Sequence, residues 1–369
     1  MSFLKKLFGK KEQQIQINRN RYAEFWQWFE QHQQDFHRIV DELNQDTIQA
    51  DFFDKLLPEL AKVHDGIFSL TGMLGPQTAE LILTPDGVVA NIVFVEELVA
   101  AAPKIPDWKF TALKPASDIQ QTSIGMHGHE FSQKTLSFYL QDHEEYPDEI
   151  DLFVVHDEYN EAQKSEFLQG VYIFLDNYLG EYDSVTKLDQ VSVQSRQDAE
   201  KELMPIANLK KILTLKNSEI SRFDKVIRSN TDEDEYISLE GETHEGLPLI
   251  ATLNSTLLAW DKKASHPWLM IIEIPYDGEN FNGMPPSNEY ELLESIEQTL
   301  VAELKDVEGY LNIGRETGNN LRTIYFACKD FRKPSKIIDQ IIQNNRDNFE
   351  IDVSFFKDKY WRCLNKFGR

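Results

Sequence analysis

From about residue 269 onward the hydrophobic pattern changes period in one fixed order. Runs at 269–274, 310–316, 321–328 and 349–356 read as strands, while residues 287–305 and 335–345 repeat apolar side chains at helical spacing. The order is β-α-β-β-α-β. Two helices placed that way must cover one face of an antiparallel sheet, which is the ferredoxin-like arrangement. Gly318-Asn319-Asn320, between the second and third strands, supplies the left-handed backbone that a tight hairpin turn needs. Residues 236–240 and 247–258 read as a hairpin leading into this unit.

The polar, acidic stretch SNTDEDE at 229–235 is the clearest boundary signal and sets a C-terminal domain at 229–369. Upstream lie a basic amphipathic tail (1–18), a helical segment (19–65) and an acidic α+β domain (66–228). In the helical segment Tyr22, Phe25, Trp26, Phe29, Phe36, Ile39, Val40 and Leu43 recur at three- and four-residue steps, the spacing of a packing face rather than a ligand box. In the middle domain, strands are expected at 66–73 and 79–84 (joined through Gly75-Pro76), 108–113, 135–140, 150–156 and 185–193. Helices are expected at 88–102, at 160–179 closed by Gly180, and at 203–215. That order suggests a decorated split-βαβ sandwich. The fold class expected of the whole chain is α+β.

Charge narrows the function. The 369 residues hold 38 Lys and Arg against 62 Asp and Glu, a formal net charge of −24. That argues against a nucleic-acid binder relying on phosphate neutralisation. Residues 23–215 carry 34 acids against 13 bases. Such a block attracts a basic protein partner, and it also serves plain solubility. Two cysteines, Cys328 and Cys363, cannot make a disulfide framework, so a reducing cytoplasm is expected. No run approaches the ~18 apolar residues of a membrane span. Near the start, Phe3, Leu4, Leu7 and Phe8 recur at helical spacing among Lys5, Lys6, Lys10 and Lys11. This stripe suits an anionic membrane surface or a partner groove; the alternative is a soluble tail.

Candidate chemistry is sparse. His127-Gly128-His129-Glu130 on a strand would put both imidazoles on one face, and His156 at the end of a neighbouring strand could add a third metal ligand. No Cys or H-E-x-x-H spacing accompanies them, so ordinary structural histidines are the alternative. Asp142, His143, Glu144 and Glu145 read as a solvated turn before Pro147. There is no G-x-S-x-G elbow. Cys328 ends an apolar strand, and Cys363 sits beside Arg362, which could lower its thiol pKa. Neither phosphate-loop pattern fits the glycines of 309–320. Arg315 and Arg322 lie on the two arms of one hairpin, able to hold a carboxylate or phosphate or to pair with Glu294 or Glu297 of the preceding helix. Ser287 is the expected N-cap of that helix. No cofactor is expected.

The string HPWLMIIEIPYDGENFNGMPPSNEYELLESIEQTL, followed by GYLNIGRETGNNLRTIYFACKD, resembles the bacterial family catalogued as domain of unknown function 695. The family's Gly-Met/Leu-Pro loop, acidic helix, G-R-x-T hairpin, aromatic strand and late Trp correspond to Gly283-Met284-Pro285, Glu291 to Glu297, Gly314-Arg315-Glu316-Thr317, Tyr325 and Trp361. The match covers roughly residues 236–367. It implies a ferredoxin-like or related α+β fold with no assigned reaction. Together with the loop geometry it points to Gly283, Arg315 and Thr317 as a ligand site. In charge and fold class the chain is also similar to the small acidic protein inhibitors of ribonuclease E. The expected function is a cytoplasmic, non-enzymatic interaction or regulatory module, inhibitor- or immunity-like, with an acidic binding surface. The alternative is a small-ligand binder or hydrolase using the His127/His129/His156 group or Arg315.

Overall fold

The computed structural model describes residues 3–220 and 228–368, with side chains from 20 to 218 and from 228 to 368. It is a mixed α+β protein. The chain divides into two compact units: residues 1–139, 154–186 and 192–207 form the first, and residues 140–153, 187–191 and 208–369 the second.

The first unit opens with a long helix, α1 (Phe3–Asp41), then α2 (Gln45–Thr47) and α3 (Asp54–Val63). The side chains of Phe3, Leu4, Leu7 and Phe8 lie outside the described residues. Further along α1 the aromatic stripe is core: Phe25, Trp26, Phe29 and Phe36 are all buried. They face a three-stranded sheet of β1 (Phe68–Met73), β2 (Ala79–Thr84) and β3 (Trp108–Ala112). Phe29 meets Trp108 and Phe110 edge-on, with ring centroids at 5.0 and 5.4 Å. β1 and β2 are antiparallel, whereas β2 and β3 run parallel, linked by the crossover helix α4 (Ile92–Ala100). α4 is apolar almost all round because five of its nine residues are buried. The indole N–H of Trp26 donates to the Leu98 carbonyl at 2.7 Å, fastening α1 to α4.

A small hairpin follows, β4 (Ser123–Met126) with β5 (His129–Ser132). Its two turn residues are His127 and Gly128, at φ 52° and 82°. A two-residue turn that follows the twist of its strands needs both residues left-handed, and Gly at the second position supplies half of that. His127 therefore lies in a turn, not on a strand with His129. Next come β6 (Leu136–Gln141), β7 (Asp151–His156), α5 (Lys164–Leu179), α6 (Glu181–Lys187), β8 (Gln190–Gln194) and β9 (Met204–Pro205). These four strands form a sheet in the order β8-β7-β6-β9. The strand expected at 185–193 starts only at Gln190, because α6 carries the helix on to Lys187. Thus the middle of the chain holds three small sheets where one sandwich was expected.

The second unit contains α7 (Leu209–Ile220), β10 (Tyr236–Glu242), β11 (Pro248–Asn254), α8 (Ser255–Leu258), β12 (Trp268–Pro275), α9 (Ser287–Glu303), β13 (Tyr310–Gly318), β14 (Leu321–Cys328), α10 (Arg332–Asn345) and β15 (Asp352–Lys357). Its sheet has six strands in the order β10-β11-β13-β14-β12-β15, where the ferredoxin-like pattern has four. The reason is local. β11 pairs antiparallel with the outer edge of β13, and β10 with β11, so the leading hairpin extends the sheet. Close approach is bought by glycine: a Cβ on Gly314 would stand 2.2 Å from the Thr252 carbonyl oxygen of β11. The β13–β14 turn consists of Asn319 and Asn320, both left-handed. α9 starts at Ser287, but its N-cap is Pro286 and no side chain caps it. One face of the sheet packs Leu269, Leu311, Ile313, Tyr325 and Ala327 against Trp361 and Leu364 of the C-terminal turns. No helix among the described residues is long and apolar enough to cross a membrane.

Candidate functional site

The hairpin residues singled out in the sequence do converge, on the face of the sheet under α9. Arg315, Thr317 and Arg322 share that face because Thr317 and Arg322 are directly paired and Arg315 is two residues along the same strand. α9 presents Glu294 and Glu297, three residues and so about one turn apart. Arg315 Nη1 lies 2.7 Å from Glu297 and 3.0 Å from Glu294. Arg322 Nη1 lies 2.9 Å from Glu294, and its Nε donates to the Thr317 hydroxyl at 3.1 Å. The Arg322 side chain is only 1% exposed, with its guanidinium 5.1 Å from the Tyr290 ring centre. Burial works to lower the Arg315 pKa, but Glu297 and Glu294 outweigh it and hold the group above its ordinary value.

Two arginines and two glutamates thus neutralise one another. Their donors and acceptors serve the join between helix and sheet, and Arg315 is engaged by Glu297 and Glu294 where it borders the edge of that join. Gly283 stands apart from this network. It sits in the left-handed region at φ 75°, and its carbonyl accepts from the Asn320 N–H and the Tyr276 hydroxyl, both at 2.9 Å. It clamps the 276–284 loop to the tip of the β13–β14 hairpin.

Beside that clamp is a depression of about 530 Å³ lined by Tyr276, Asp277, Glu279, Glu289, Asn320 and Glu350, among others. Four carboxylates border it, and no lysine or arginine is among its lining residues. Sequence reasoning missed it because the acids come from a loop, the first turn of α9 and the segment before β15. A second groove of about 460 Å³ runs past Tyr236, Thr252, Val301, Val307, Asn312 and Arg315. β10, which borders it, is exposed along all seven residues.

The histidines of the first unit do not form one site. His127 Nε2 meets Gln169 Oε1 at 2.9 Å, and His129 Nδ1 meets Glu158 Oε2 at 2.8 Å. His156 is buried, its Nδ1 accepting from the Glu158 N–H and its Nε2 donating to the Glu130 carbonyl, each at 3.0 Å. Both ring nitrogens are therefore used, and burial lowers its pKa. Among the described residues, the group that does bring three donor atoms within 4.8 Å is His143, Glu149 and Asp151, which includes a residue read from the sequence as solvated turn. Burial raises the Glu149 pKa, Arg362 opposes the shift, and Asp151 and Asp189 reinforce it.

Neither cysteine is poised as a nucleophile. Burial pushes the Cys328 thiol far up. Cys363 is pushed up to about 12 by desolvation and by Asp358, the opposite of the lowering that Arg362 suggested.

No curated protein and no solved structure matches the chain. The C-terminal third, residues 242–367, matches the model of the family described as "Family of unknown function (DUF695)", and the Arg315–Arg322 network, the Gly283 clamp and the acidic depression all lie within the matched residues.

Proposed function

We infer that this chain is a non-enzymatic interaction or regulatory module that engages a basic protein partner through acidic surface. One observation carries the reading: the depression beside the hairpin tip is bordered by Asp277, Glu279, Glu289 and Glu350 with no basic side chain in its lining. Field lines from clustered carboxylates attract cationic groups and speed encounter, and the net charge of −24 reinforces this at long range. The reading places the protein in a reducing cytoplasm, where its two free thiols persist. An inhibitor- or immunity-like role against a basic enzyme is the form of regulation that such a surface fits. The inner strand order β13-β14-β12-β15, with α9 and α10 as crossovers, supports a ferredoxin-like sheet extended by one hairpin as its scaffold.

The test is affinity purification of the full chain from its native host at low and at high salt, repeated with a Glu279→Lys/Glu350→Lys variant. A stoichiometric partner that is lost at high salt and absent with the variant supports the reading. A partner retained in both conditions overturns the electrostatic mechanism.

A further inference from the structure

We propose that the segment joining β6 to β7 is a divalent-cation site, with His143, Glu149 and Asp151 as protein ligands and a Zn²⁺-class first-row ion as the occupant. His143 lies two residues past the end of β6, Asp151 is the first residue of β7, and Glu149 precedes it by two. These three bring one donor atom each to within 4.8 Å of one another. The site lies wholly within the second unit.

The argument rests on what is left unpaired. Glu149 and Asp151 are 7% and 5% exposed, so each carboxylate has given up most of its water. Arg362 Nη2 lies 3.0 Å from Glu149 Oε1, and His143 Nε2 lies 2.8 Å from Asp151 Oδ2. The second oxygen of each carboxylate, Glu149 Oε2 and Asp151 Oδ1, is buried with no hydrogen-bond partner. A buried carboxylate oxygen without a donor is costly, and two carboxylates that each carry one, with a donor atom apiece within 4.8 Å of an imidazole nitrogen, form a constellation that a cation satisfies. Neighbouring lysines do not fill the role: Lys357 and Lys359 both pair with Asp189, at 3.0 and 2.9 Å.

The donor set selects the ion. One imidazole nitrogen and two carboxylate oxygens suit Zn²⁺ and its first-row neighbours, leaving a fourth position for water or a ligand. Mg²⁺ and Ca²⁺ prefer all-oxygen shells of six or more. The surroundings would hold the ligands in place. Arg362 orients Glu149 while lying over the Tyr146 ring at 4.9 Å, and the Tyr146 and Tyr360 rings pack at 4.8 Å.

The experiment is calorimetric titration of Zn²⁺ into the full chain, purified without a histidine tag and stripped with chelator. The expected result is one Zn²⁺ per chain with a matching rise in melting temperature. Asp151→Asn and Glu149→Gln should each weaken binding roughly tenfold or more. His129→Gln, in the other histidine group, should leave it unchanged. The two ligand variants keep side-chain size and remove charge from a crowded carboxylate cluster, so each metal-free variant is expected to fold, as circular dichroism would check. No stoichiometric Zn²⁺ uptake, binding undiminished in both ligand variants, or saturation by Mg²⁺ in place of Zn²⁺ would overturn the proposal.

Discussion

Each unit holds a carboxylate against its sheet, fully buried in the first and half-buried in the second, and they satisfy it in opposite ways. In the first unit Glu181 is fully buried, and neutral donors surround it: the Thr84 hydroxyl at 2.7 Å, the Gly87 N–H at 2.8 Å and the Lys114 N–H at 3.0 Å. The Lys114 ammonium turns to Asp86 instead, at 2.7 Å. In the second unit Glu294 and Glu297 are met by the full charges of Arg315 and Arg322. Backbone and hydroxyl donors are rigid and little screened by salt, whereas paired ions carry a desolvation cost that only good geometry recovers. The first solution ties loops together, and the second ties a helix to a sheet.

Substitutions can break this comparison. Arg322→Met should have the largest effect, a loss of about 4 kcal/mol, because it removes the buried partner of Glu294 and Thr317. Denaturant unfolding measures it, and a double-mutant cycle with Glu294→Leu should show strong coupling between the two positions.

Acid is expected to act next, again on the second unit. His266 is fully buried and burial lowers its pKa from 6.5 to about 4. Below pH 6.5 the unfolded chain takes up a proton that the folded chain refuses, so stability falls as pH drops from 6.5 towards 4 and levels off below that. The loss amounts to about 3 kcal/mol at most. Melting temperature against pH measures the slope, and His266→Gln should flatten it.

Glu181→Gln should cost less, about 2 kcal/mol, since the amide turns one accepting oxygen into a donor facing donors. That cost should not change with salt. If it falls steeply as salt rises, the distinction between neutral and ionic solutions fails. The smallest effect belongs to exposed helix pairs. Lys55→Ala breaks a 3.0 Å pair with Asp51 that is half exposed at both ends, and should change stability by less than about 0.5 kcal/mol.

Much of the second unit was legible because its signals are local. The β13–β14 turn, both long helices and the pairing of Arg315 and Arg322 with Glu294 and Glu297 follow from side-chain period and turn chemistry within about thirty residues. Gly283 was picked out of the sequence as a ligand-site residue, but the contacts it makes, with Tyr276 and with Asn320 of the hairpin turn 37 residues further on, depend on tertiary structure. The histidines show the reverse. A run of His-Gly-His looks alternating, yet His127-Gly128 is the turn itself, and His156 spends both nitrogens on backbone groups.

Sequence alone specified the α+β class, the aromatic core face of α1, the strand–helix order after residue 269 and the acidic character of the chain. These are sums over composition or patterns repeating every two or 3.6 residues, so they need no knowledge of distant contacts. Tertiary structure decided that β10 and β11 join the sheet, that four acids from three separate segments border one depression, and that Arg362 reaches a carboxylate more than 200 positions earlier in the chain. The physical reason is that burial, and with it the fate of every charge, is set by which surfaces meet, and a short window of sequence does not contain both surfaces.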